Sequence, residues 1–72
     1  MAYGYAYEMA NEKYPVGTDI QMLESKDPAG TVPRLWIGKV IKIDELGNLV
    51  VRWQDSGRIS KVDIARDGID TA

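Results

Sequence analysis

The chain has no cysteine, no histidine and no phenylalanine among its 72 residues. Without cysteine there is no disulfide and no thiolate ligand, and without histidine no imidazole ligand and no side chain that ordinarily titrates near neutrality. General acid/base and nucleophilic catalysis rest most often on these two residue types. The expectation is therefore a protein that is not an enzyme and that carries no cofactor and no metal. Long apolar runs are also missing, since none approaches the roughly 20 residues needed to cross a bilayer. No basic-then-apolar leader is visible. A soluble, cytoplasmic protein without membrane contact is the reading these absences support.

What is present suits one small folded domain. A chain of this length buries only roughly 60% of the surface its unfolded form exposes, so there is no room for a second core. The hydrophobic share of 44% and charged share of 28% argue against wholesale disorder. A formal net charge of −2 argues against a generic polyanion binder while leaving room for a local basic face. The core must come from aliphatic residues, the two tryptophans and some of the four tyrosines.

Residues 1–15 differ from the rest, because they hold every tyrosine. Tyr3, Tyr5 and Tyr7 alternate as in a strand, whereas Tyr7, Ala10 and Tyr14 share one face of a helix. We read a loose aromatic arm followed by a short helix from about Tyr7 to Lys13. Pro15 disfavours the helical region for Tyr14 and stops it. Residues 16–72 then carry five short strands. The first is Asp19 to Glu24, in which Leu23 breaks the alternation and calls for a bulge or strand end. Ser25 to Arg34 holds two prolines and a glycine and forms the long loop. Trp36 to Ile43 and Leu49 to Gln54 form a central hairpin, with Gly47-Asn48 supplying positive-φ positions. Arg58 to Val62 follows the Asp55-Ser56-Gly57 turn, Asp63 caps a single helical turn, and Gly68-Ile69-Asp70 closes the chain. The order is that of an all-β fold, a small five-stranded SH3-like barrel behind a short N-terminal helical or irregular segment.

Taken together, Tyr14-Pro15-x-Gly17-Thr18, Asp27-Pro28, Gly38-x-Val40-x-x-Ile43-Asp44, Gly47 and Val51-Arg52-Trp53 resemble a family of uncharacterised small domains of bacteria and phages. The resemblance covers about residues 12–70 and extends in part to KOW-like and Tudor-like barrels. It implies a barrel and a mobile-element setting, with no assigned activity. Two departures stand out. The turn Gln54-Asp55-Ser56-Gly57 is one residue longer than the Trp-Asp-x-Gly of the family, and Leu35-Trp36-Ile37 is unusually apolar.

Candidate chemistry narrows to binding. Asp44, Glu45, Asp55, Asp63 and Asp67 fall in turns, where capping accounts for them. The run DIARDGID fails as a calcium loop, because Ala65 occupies the third position. Trp53 is read as core. Leu35, Trp36 and Ile37 are consecutive and cannot all point inward, so at least one is exposed or covered by Tyr7, Met9 or Tyr14. Leu35, Trp36, Tyr3 and Tyr5 are thus candidate contacts for a protein partner or for a second copy of the chain, the favoured reading. The rival is an RNA- or DNA-binding face made by Lys39, Lys42, Arg52, Arg58 and Lys61, with Lys42 and Arg52 as neighbours across the hairpin.

Overall fold

The computed structural model describes the backbone of residues 2–28 and 32–72, and side chains from Tyr5 onward within those bounds. One helix, α1 (Ala2–Lys13), precedes five strands: β1 (Asp19–Glu24), β2 (Ile37–Ile43), β3 (Leu49–Trp53), β4 (Ile59–Val62) and β5 (Gly68–Thr71). All five form one antiparallel sheet in the order β4-β3-β2-β1-β5. The last strand therefore returns beside the first, and the fold is mostly β, as the strand pattern in the sequence indicated.

Alternation decides which face is core. Ile20 and Met22 of β1, Val40 and Ile43 of β2, Leu49, Val51 and Trp53 of β3, and Val62 of β4 are all buried. Their neighbours Asp19, Lys39, Arg52 and Lys61 are exposed. Two bulges interrupt the pattern. Between Met22 and Glu24 the register against β5 shifts, which turns Leu23 outward and resolves the broken alternation of β1. A second shift lies between Val40 and Lys42 in β2. It inserts Ile41, so that Lys42 rather than Ile41 pairs with Val50; before the bulge, Arg52 pairs with Lys39. Lys42 and Arg52 are therefore diagonal neighbours across the hairpin rather than directly opposed.

The helix also differs from its expectation. It begins at Ala2 rather than Tyr7, so the segment read as a loose arm is helical. Small residues explain its seat. Ala6, Ala10 and Tyr14 repeat every four residues along one face; Ala10 is fully buried and Tyr14 packs on the core, while Tyr7 stays largely exposed. Gly47 receives the helix from the other side, for a Cβ there would stand 2.7 Å from the Ala6 carbonyl oxygen. Gly47 also takes the positive φ of the hairpin turn, at 83°, and Asn48 does not share it. The turn is held by the Gly47 amide donating to the Asp44 carbonyl at 3.0 Å.

Two glycines with positive φ separate backbone strain from helix packing. Gly17 has φ 96° and open space where a side chain would go, whereas Gly47 has φ 83° and the helix backbone there. Gly17→Ala is expected to cost about 1 kcal/mol, from the left-handed conformation alone. Gly47→Ala is expected to cost about 1–3 kcal/mol more, because α1 must move. Denaturant midpoints for the two variants check this difference.

Candidate functional site

The loop that enters β2 is the most constrained surface feature. Trp36 donates its amide to the Pro33 carbonyl at 3.4 Å, closing a turn whose third residue is Leu35. Leu35 has φ 73°, the only positive value at a non-glycine among the described residues. A positive φ at that turn position belongs to type II geometry, which ordinarily takes glycine or asparagine. The leucine is held there from several sides. Its amide donates to the Met22 carbonyl at 2.6 Å, and Met22 donates to the Trp36 carbonyl at 2.9 Å. The Gln21 side-chain amide donates to the Leu35 carbonyl at 3.2 Å, and Arg34 Nε to the Leu23 carbonyl at 3.1 Å. The Leu35 side chain gains little burial in return, with 53% of its surface exposed. A groove of about 510 Å³ lined by Leu23, Glu24, Ser25, Val32 and Arg34 adjoins the turn.

Trp36 itself is half-buried and faces the core. Its ring lies 6.3 Å from that of Trp53 at an interplanar angle of 52°, and Arg58 sits above it with Cζ 5.8 Å from the ring centroid. The aromatic and the cation are therefore partners of each other before either meets a ligand. Tyr5 is 68% exposed, but it flanks Ala6 at the Gly47 turn, the far end of β2 from Leu35. Seven strand residues, roughly 23 Å, separate the two ends. Tyr5 and the Leu35-Trp36 pair thus form no common patch, and the Tyr3 side chain lies outside the described residues.

The basic candidates divide as well. Lys39, Lys42, Arg52 and Lys61 project from the outward face of β2, β3 and β4. Arg58 does not, because its carbonyl accepts from the Trp53 amide and its guanidinium lies on Trp36 at the other side of the sheet. Lys39 pairs with Asp19 at 3.4 Å and Lys61 with Asp44 at 3.3 Å.

Three of the five turn carboxylates, Asp44, Asp63 and Asp67, are structural, and one exceeds its expected role. Asp63 caps its turn, accepting from the Ala65 amide at 2.9 Å. Asp44 accepts from the amides of Leu46 and Asn48. Asp67 goes further, with 2% of its side chain exposed. Its Oδ1 accepts from the Lys26 amide at 2.9 Å and from Arg66 Nε at 3.1 Å, and its Oδ2 from Arg66 Nη2 at 2.9 Å. It pins the long loop to the turn before β5. Sequence reasoning missed this clamp, since its partner amide is 41 residues away. Burial alone would raise the Asp67 carboxyl, but the Arg66 guanidinium and the Lys26 amide outweigh it and hold the group below the usual carboxylate range. Asp44 is lowered for similar reasons, with bonds from Asn48, Lys61 and Leu46 offsetting its desolvation. Among the described residues no group of three or more carboxylates is placed to hold a metal ion, and no helix is long and apolar enough to cross a membrane.

These elements define a small, mostly β domain. The chain belongs to the family described as Domain of unknown function (DUF4314), whose model matches residues 6–71. No curated protein matches it, and no solved structure does.

The Asp67 clamp gives a pH dependence of definite sign. Its folded pKa is depressed, so its contribution is complete above the unfolded value of roughly 3.9 and is lost as pH falls through the folded value. Asp67→Asn should cost about 1–3 kcal/mol at neutral pH. It should also flatten the loss of stability on acidification below about pH 4. Unfolding midpoints across that range check both statements.

Proposed function

We propose that this domain is a non-catalytic, SH3-like binding module that engages a protein partner, or a second copy of itself, through Leu35 and the groove beside it. The strand order, with β5 returning beside β1, is compatible with that barrel class. The observation that carries the reading is Leu35. A bulky residue at positive φ costs of order 1–3 kcal/mol, and such strain concentrates at ligand clamps and switch regions. Here the fold bears that cost for a side chain that is more than half exposed, so burial within the monomer does not account for it. Leu23, 40% exposed on the bulge of β1, adds apolar surface to the same groove. The backbone bond to Met22 and the side-chain bond from Gln21 hold the turn ready, which lowers the ordering cost of docking. The absence of cysteine and histidine from the sequence supports the non-catalytic part.

Strain and display can be separated by one substitution. Leu35→Gly removes the side chain and relieves the positive φ, while enlarging the freedom of the unfolded chain by about 0.5–1 kcal/mol. The expected outcome is an unfolding midpoint equal to or above that of the parent, together with loss of partner capture or self-association in cross-linking and sedimentation. Tyr5→Ala, at the other end of β2, should leave both unchanged. A clear loss of stability in Leu35→Gly would make Leu35 a structural residue, and unaltered association would remove it from the interface.

A further inference from the structure

The outward face of β2–β3–β4 carries a charge pattern that the Leu35 site does not use. In a chain of net charge −2, four of the nine lysines and arginines project from these three strands. The register places them in two rows. In one, Ile59, Arg52, Lys39 and Asp19 follow one another across four strands. In the other, Lys61 and Lys42 flank Val50 from either side. Arg52 and Lys39 are direct cross-strand partners, an arrangement of like charges that costs roughly 0.2–1 kcal/mol.

Neutralisation reaches only the margins of this face. Asp19 serves Lys39 from β1, and Asp44 serves Lys61 from the hairpin turn. Among the described residues no carboxylate lies within ion-pair distance of Lys42 or Arg52. The Lys39–Asp19 pair is exposed on both sides and exchanges readily for another anion, while Lys61 is exposed although its partner Asp44 is partly buried. Between the cations stand Val50, Ile41 and Ile59, and among the described residues no aromatic ring belongs to this face; Trp36 and Trp53 lie on the other side of the sheet.

We infer that this face binds double-stranded nucleic acid through its backbone phosphates, with Arg52 and Lys42 at the centre and Lys39 and Lys61 at the rim. Charge complementarity selects a polyanion. The absence of stacking rings selects a duplex, whose phosphates line its outside, over a single strand that is held largely by base stacking. Phosphate contacts carry no sequence information, so binding through them is sequence-independent. Arg58 is excluded from the site by its position over Trp36.

The test titrates a fluorescent DNA duplex of mixed sequence with the full chain across a salt series. Four phosphate contacts predict a slope of log K against log salt of about −3.6. The double variant Arg52→Glu/Lys42→Glu should lose at least tenfold in affinity at low salt and about half the slope. It should remain folded, because Glu at position 52 faces Lys39 and replaces a repulsive pair with an attractive one. Lys13→Glu/Lys26→Glu changes the net charge equally at exposed positions away from the face and should leave affinity within about twofold. No duplex binding at low salt would overturn the inference. So would equal losses in the two double variants, tighter binding of a single strand, or competition by polyglutamate as effective as that by unlabelled duplex.

Discussion

The fold depends on how the indole of Trp53 is seated against Gly38. Trp53 is the largest fully buried side chain, and its cross-strand partner in β2 is the one residue there without a side chain. A Cβ at position 38 would stand 2.5 Å from Val51 Cγ1 and 2.8 Å from both Trp53 Cε3 and the Arg52 carbonyl oxygen. Gly38 is thus a notch cut into the central strand for β3 to fill. The indole is also satisfied as a donor, giving its Nε1 proton to Ser60 Oγ at 2.8 Å in β4. One side chain therefore ties three strands together, and a core without cysteine to cross-link it has few substitutes for it.

From that seat the constraint passes outward in both directions. Trp36 packs on Trp53 and is roofed by Arg58, which fixes the chain where it enters β2. Leu35 immediately precedes it, held at positive φ by bonds to β1. Arg52 immediately precedes Trp53 and must face away from the core when Trp53 faces into it. The display of Leu35 at one edge and the central cation of the outer face are both consequences of where the indole points. The two proposed surfaces use different residues, and Arg58 belongs to the aromatic side rather than to the basic one.

Much of this was readable from local pattern. β1 spans Asp19–Glu24 as its composition indicated, Leu23 announced its own bulge, and Asp63 caps as its spacing implied. What could not be read was non-local or unmarked. The bulge at Ile41 has no glycine or proline to signal it, only a run of ordinary strand residues, and it places Lys42 rather than Ile41 opposite Val50. The N-terminal tyrosines fit a strand period and a helix period at once. The choice was made by the close fit of Ala6 to Gly47, residues 41 positions apart. The excess apolar surface at Leu35-Trp36-Ile37 was evident, but the positive φ that gives Leu35 its meaning exists only once β1 pins the turn. Asp67 looked like one more turn acid, because the amide it clamps lies in the long loop.

The claim that the structure hangs on the Gly38 notch is tested most directly by the unfolding free energy of Gly38→Ala. On intrinsic preference alone, alanine in a strand interior should stabilise by about 0.5–1 kcal/mol relative to glycine. The steric account predicts the opposite sign, a loss of at least about 1–3 kcal/mol, with a changed near-ultraviolet circular dichroism signal as the tryptophans are displaced. A variant as stable as the parent or more so, with its tryptophan signal intact, would contradict it.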